Sequence, residues 1–121
     1  LSKKVFLMGY SENIYFYMKK SSALILSSLW EDPGFVIIEA AMCNTFVISS
    51  DCKNGPTEFL ENGQGGLLYK SNKKTFLSNA INDFVKMSNE EVLKKKIKAK
   101  KNCYNYTLAR HFFLLSKILN S

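Results

Sequence analysis

The feature that most narrows the fold is a series of short apolar runs that do not alternate with polar residues. ALIL at 23–26, FVI at 46–48 and LLY at 67–69 place apolar side chains on consecutive positions, and VFLM at 5–8 does the same. A strand with one wet face alternates; a strand covered on both faces need not. Segments with a helical period separate these runs. The expected class is therefore α/β: a Rossmann-like parallel sheet with helices on both faces. Four strands are expected, the first from KKVFLMGY and ended by Gly9.

The helices have local signals. In SENIYFYMKKSS, Ser11 is a candidate N-cap, with Ile14, Tyr17 and Met18 on one face. In DPGFVIIEAAMC, Asp32 is the candidate cap and Pro33 suits the first turn. NGPTEFLENGQGG holds a turn, a short helix and another turn. NKKTFLSNAINDFVKM is amphipathic, with Phe76, Leu77, Ala80, Ile81, Phe84 and Val85 facing inward. Ser88 and Glu91 have capping-box spacing before the next helix. TLARHFFLLSKIL closes the chain as a helix with a broad apolar face.

The 121 residues suffice for one small domain, and a hydrophobic share of 46% excludes a disordered chain. No apolar run reaches the roughly 20 residues of a membrane span. The opening lacks Met and any signal-peptide pattern, so we expect a segment of a longer protein. Cys43, Cys52 and Cys103 form an odd set without C-x-x-C spacing, which argues for packing thiols in a reducing compartment. The net charge of +7 is uneven. Residues 1–85 hold eight lysines against eight acids, whereas 86–121 hold nine Lys and Arg against two Glu. That imbalance fits a solvated helix face, an anionic membrane surface or nucleic acid.

Ligands of parallel sheets bind at the carboxyl ends of the strands. Loops 9–11, 27–34, 49–56 and 69–72 are expected to share that edge. The stretch SLWEDPGFVIIEAAMCNTFVISSD then stands out, because it sets Glu31 and Glu39 around a Pro-Gly turn. A helix beginning near Phe35 leaves unpaired N–H groups and a positive dipole end, which suit a phosphate or a sugar oxygen. Glu39 lies about one turn inside, where a carboxylate can accept two hydrogen bonds from a vicinal diol such as a ribose.

The same stretch, followed by GPTEFLENGQGGLLY, resembles the C-terminal half of a retaining GT-B glycosyltransferase of family 4. The family pattern is a strand ending in Ser, then E-x7-E with Gly-Phe inside it, then Glu-Ala, a Val-Ile strand and a Gly-rich turn with Glu. Glu31, Gly34, Phe35, Glu39, Ala40, Val47, Ile48, Gly55, Glu58, Asn62, Gly63, Gly66 and Leu67 stand where that pattern requires. The resemblance runs from Val5 to about Phe84. Two departures are Leu26 where the family often has Pro, and Asn44-Thr45-Phe46 where it often has Gly-x-Pro before the strand. Asn tolerates left-handed backbone, so the turn survives.

The resemblance implies roles. Glu31 is the catalytic candidate, contacting hydroxyls of the donor sugar. Gly34 and Phe35 offer backbone N–H groups to the donor, and Glu39 binds the ribose. Gly9 and Tyr10 lie near the base. No metal and no cofactor are implied; the donor is a nucleotide sugar, expected to be a UDP-sugar. The acceptor is a surface glycan or a lipid-linked sugar, worked on at the cytoplasmic face of a bacterial membrane, with no nucleic acid involved. The resemblance implies retaining transfer by front-face departure of the nucleotide, whose diphosphate takes the acceptor proton. An Arg and a Lys upstream neutralise that charge, and an N-terminal domain binds acceptor. The basic helices of 86–121 are expected to help hold the enzyme at the membrane. Alternatives are a non-catalytic nucleotide-binding module and another GT-B enzyme such as a sugar-nucleotide epimerase.

Other chemistry-bearing residues have plainer explanations. His111 is expected on the surface or between helices, and Asp51 lacks the acidic pair of a phosphoacceptor site. Ser27 and Ser28 lack a G-x-S-x-G setting, and Gly63, Gly65 and Gly66 read as turn glycines. Trp30 is placed either to stack on a sugar or to pack.

Overall fold

The structure, a computed structural model, describes residues 4–71 and 73–120. Three strands form one parallel sheet in sequence order: β1 (Ala23–Leu26), β2 (Phe46–Ser50) and β3 (Leu67–Tyr69). Ile25 pairs with Ile48 and Ile48 with Leu67, so the carboxyl ends of all three finish together. The helices are α1 (Ile14–Lys20), α2 (Phe35–Met42), α3 (Pro56–Phe59), α4 (Lys74–Lys86), α5 (Asn89–Asn102) and α6 (Leu108–Leu119). A single 3-10 turn, Cys103–Tyr106, joins the last two.

The period of two along β2 divides the core. Val47 faces one cluster, with Ile37, Ile38 and Ala41 of α2, Phe59 and Leu60, and Ala99 of α5. Phe46 and Ile48 face the other, with Tyr69 and the inner side of α4. Every residue of β2 is buried, which is why this run carries no alternation. Close approach is permitted where glycine removes a side chain. A β-carbon on Gly66 would meet the Val47 carbonyl oxygen at 2.5 Å, so β3 could not begin there with any other residue.

Several expectations are corrected. Residues 5–10 form no strand; the remainder of that expected strand, before Lys4, lies outside the described residues. Leu7 is 98% exposed, and β1 pairs on one side only. An apolar run is not sufficient for a strand: it also needs a neighbour whose N–H and C=O groups stand in register. Asn13, not Ser11, caps α1 by accepting from the Phe16 N–H, and of the expected inward face only Met18 is buried. Asp32 caps nothing in α2, because Gly34 occupies the cap in left-handed backbone at φ 80°. In α4 the inward face holds except for Val85, which lies on the outer side and is 74% exposed. The Ser88–Glu91 capping box is present in both directions. Asn44 does take left-handed backbone, φ 62°, before β2. The apolar face of α6 exists but is not covered: Leu108, Phe112 and Leu119 are exposed. Among the described residues no helix is long and apolar enough to cross a membrane.

Candidate functional site

The loops that follow β1 and β2 are fastened to each other at the carboxyl edge of the sheet. The Ser50 hydroxyl donates to the Ser28 carbonyl at 2.6 Å, and the Glu31 N–H to the Lys53 carbonyl at 3.3 Å. Trp30 and Lys53 form a parallel bridge between the loops. Gly55 lies so close to Pro33 that a β-carbon there would fall 2.0 Å from the Pro33 carbonyl oxygen. Tyr69 adds a tie across the sheet, its hydroxyl donating to the Leu26 carbonyl at 3.1 Å. Burial pushes that phenol above its ordinary pKa.

This frame positions the first glutamate. The Ser28 hydroxyl donates to Glu31 Oε1. A β-carbon on Gly34 would stand 3.6 Å from Cβ, Cγ and Oε2 of Glu31, in ordinary contact with that side chain. Gly34 is buried, while Phe35 beside it is 61% exposed. The first turn of α2 has no side-chain cap; the Ile37 N–H donates to the Gly34 carbonyl at 3.2 Å, which leaves the Phe35 and Val36 N–H groups at the edge.

The second glutamate is set by a different element. Glu39, half-buried on α2, accepts a hydrogen bond at 3.2 Å from the Tyr15 hydroxyl of α1. The charge of Glu39, and then that hydrogen bond, raise the Tyr15 phenol above its ordinary value of 10.0. Ser28 and Tyr15 were not anticipated as partners of the two glutamates. Ser28 had a local signal, three residues before Glu31; Tyr15 had none, since only the packing of α1 on α2 brings it there.

Gly9 and Tyr10 lie in the segment before α1. Gly9, at φ 64°, has open space where a β-carbon would sit, and Tyr10 is 91% exposed. No hydrogen bond among the described residues ties either to the strand edge. His111, far from the motif in sequence, is exposed on α6 as expected and lines a groove of about 410 Å³ with Pro33, Phe35, Tyr106 and Leu108. Asp51, at the end of β2, pairs with Lys70 at 2.7 Å and accepts from the Ser71 N–H at 3.1 Å, so it braces the loop after β3. Asn72, the last of the expected edge residues, lies outside the described residues.

A roomier concavity of about 710 Å³ opens beside Lys53, Gly55 and Asn62 and is lined by neither Glu31 nor Glu39. Asp51, Glu58 and Glu61 all line it, and three carboxylates disfavour a phosphate. The edge beside Glu31 and Gly34 instead carries the start of α2, whose positive dipole end favours an anion. Among the described residues no three His, Cys, Asp or Glu gather into a metal site.

The model of the family described as glycosyl transferases group 1 matches residues 1–106. The chain belongs to the group 1 glycosyltransferases. It is 32% identical to an uncharacterized glycosyltransferase of Methanocaldococcus jannaschii, over 77% of this chain and 26% of that protein. It is 35% identical to the N-acetylgalactosamine-N,N'-diacetylbacillosaminyl-diphospho-undecaprenol 4-alpha-N-acetylgalactosaminyltransferase of Campylobacter jejuni, over 56% of this chain and 19% of that one. Its fold is similar to that of TarM, with a TM-score of 0.79 at 24% identity over 99% of this chain and 24% of that one. It is also similar to sucrose-phosphate synthase of Thermosynechococcus elongatus, with a TM-score of 0.78 at 23% identity over 98% of this chain and 31% of that one. The architecture is thus the α/β, Rossmann-like kind of GT-B glycosyltransferases. The chain spans about a quarter or less of the length of the curated relatives named here.

Proposed function

We propose that this chain is the donor-binding part of a retaining glycosyltransferase that uses a UDP-sugar. The acceptor is a glycan or a lipid-linked sugar at the cytoplasmic face of the membrane. The observation that carries this reading is that Glu31 lies just before, and Glu39 just inside, the start of α2, which has no side-chain cap and follows β1 at the carboxyl edge of the sheet. The Campylobacter jejuni relative, named for a diphospho-undecaprenol acceptor, supports the acceptor class.

In this reading the first N–H groups of α2, at Phe35 and beyond, take an oxygen of the donor. Glu31, oriented by Ser28, accepts from hydroxyls of the transferred hexose or N-acetylhexosamine. Its hydrogen bonds hold the ring so that the anomeric carbon faces the acceptor. Glu39 accepts from the ribose diol, and the Tyr15 hydroxyl, 3.2 Å from Oε1, steadies its carboxylate. Gly9 and Tyr10 would lie toward the base. As the sugar–phosphate bond breaks, charge grows on the diphosphate, and positive groups around it stabilise that change. The α2 dipole supplies one share; an Arg and a Lys from outside this chain, with an N-terminal domain for the acceptor, supply the rest.

An NMR titration of the chain with UDP, against GDP and ADP, tests the reading. Shifts near residues 31–39 and 54–58 that are specific for UDP and vanish in Glu39→Ala are expected. If the chain carrying its upstream segment binds no nucleotide, the donor reading fails and a non-catalytic module replaces it.

A further inference from the structure

The lysines of α5 fall into two sets. Lys95 donates to the Gly63 carbonyl and Lys98 pairs with Glu61 at 2.7 Å, so both fasten the helix to the loop after α3. Lys94 is matched by Glu90 one turn earlier. Lys96, Lys100 and Lys101 have no acidic partner among the described residues. At about 100° per residue exposed Lys100 and Lys101 turn away from buried Ala99 and Asn102, while half-buried Lys96 lies on the flank about 60° from Ala99. Leu93 and Ile97 lie between these lysines, 53% and 47% exposed.

We propose that this outer face of α5 docks on an anionic lipid surface. The three unmatched lysines meet the headgroups, while Leu93 and Ile97 enter the interfacial layer. The apolar pair is what favours lipid over a soluble polyanion, which would engage the lysines alone. The face of α6 offers no such case. Its exposed apolar residues are broader, but both its cations, Arg110 and Lys117, lie over the Phe113 ring. The inference is independent of the donor reading, since no residue of the edge takes part.

The test is co-sedimentation of the full chain with vesicles of phosphatidylglycerol and phosphatidylcholine in equal parts, and with phosphatidylcholine alone. Binding to the first and not the second is expected, weakening as salt shortens the Debye length. Each lysine near such a surface is worth roughly a fivefold change in partitioning, so K96Q/K100Q/K101Q should bind about 100-fold less well. Glutamine is a good helix former, and circular dichroism will confirm that α5 persists. L93S/I97S should also bind more weakly, and F112S on α6 should bind as the parent does. Full binding by the triple variant, or no binding to anionic vesicles by the parent, overturns the proposal. So does loss through F112S. Unchanged binding by L93S/I97S together with full competition by soluble polyphosphate would make the face a polyanion site instead.

Discussion

The carbonyl oxygen of Pro33 occupies the space that a β-carbon on Gly55 would need, 2.0 Å away. The two loops that build the candidate site are therefore locked at a point where only glycine fits. Gly55 also holds φ 135°, which disfavours any other residue. Gly55→Ala must push residues 31–34 away from the edge of β2. A loss of at least about 2 kcal/mol is expected, from backbone strain and steric overlap together. Urea unfolding measures it, and UDP shifts at residues 31–39 should shrink even in the fraction that stays folded.

Glu39 carries a second prediction. Hydrogen bonds to a charged group contribute about 1.5–3 kcal/mol each, so Glu39→Ala should weaken UDP at least tenfold. Tyr15→Phe, which leaves the carboxylate in place, should weaken it much less. Because Glu39 raises the Tyr15 phenol above 10.0, the Glu39→Ala chain should titrate Tyr15 at lower pH, followed by ultraviolet absorbance. An unchanged Tyr15 titration would mean that α1 and α2 are not joined by this bond.

Asp51 makes stability depend on acid. The hydrogen bond from Lys70, and then the Ser71 N–H, lower its carboxyl below the ordinary 3.8. A group depressed on folding contributes stability above its unfolded value and loses that share as pH falls through its folded value. Asp51→Asn should therefore be less stable than the parent at neutral pH. The two should converge as pH drops from 3.8 toward the lowered value. A constant gap between their urea midpoints down to about pH 2 would rule out this linkage.

Asn102 tests the anchoring of α5. Its buried amide Nδ2 donates to the Phe59 carbonyl at 2.7 Å, tying α5 to the end of α3. Asn102→Ala leaves that carbonyl without a partner in the core, which should cost about 1–3 kcal/mol. Thermal melts will show it, and a fall of less than about 1 °C would mean that water replaces the amide.

The division between chain and fold is visible at individual residues. The sheet strands β1, β2 and β3, the inward side of α4 and the Ser88–Glu91 cap were all legible, because each depends on residues within a turn or a pleat of one another. The spacing of Glu31, Gly34 and Glu39 was legible too, and so was the left-handed turn at Asn44. Local signals failed where the partner was distant. Apolar Val5–Phe6–Leu7–Met8 found no ladder beside β1, and Asp32 lost the α2 cap to Gly34 once Pro33 was pinned against Gly55. Val85 completed an apolar pattern but lay beyond the reach of the sheet. Only the folded chain could bring Tyr15 to Glu39 and His111 to the groove beside Phe35. Periodicity says which side of an element is apolar. Which element covers that side, and which polar atoms meet across the gap, follows from hydrogen bonding and packing between segments far apart in sequence.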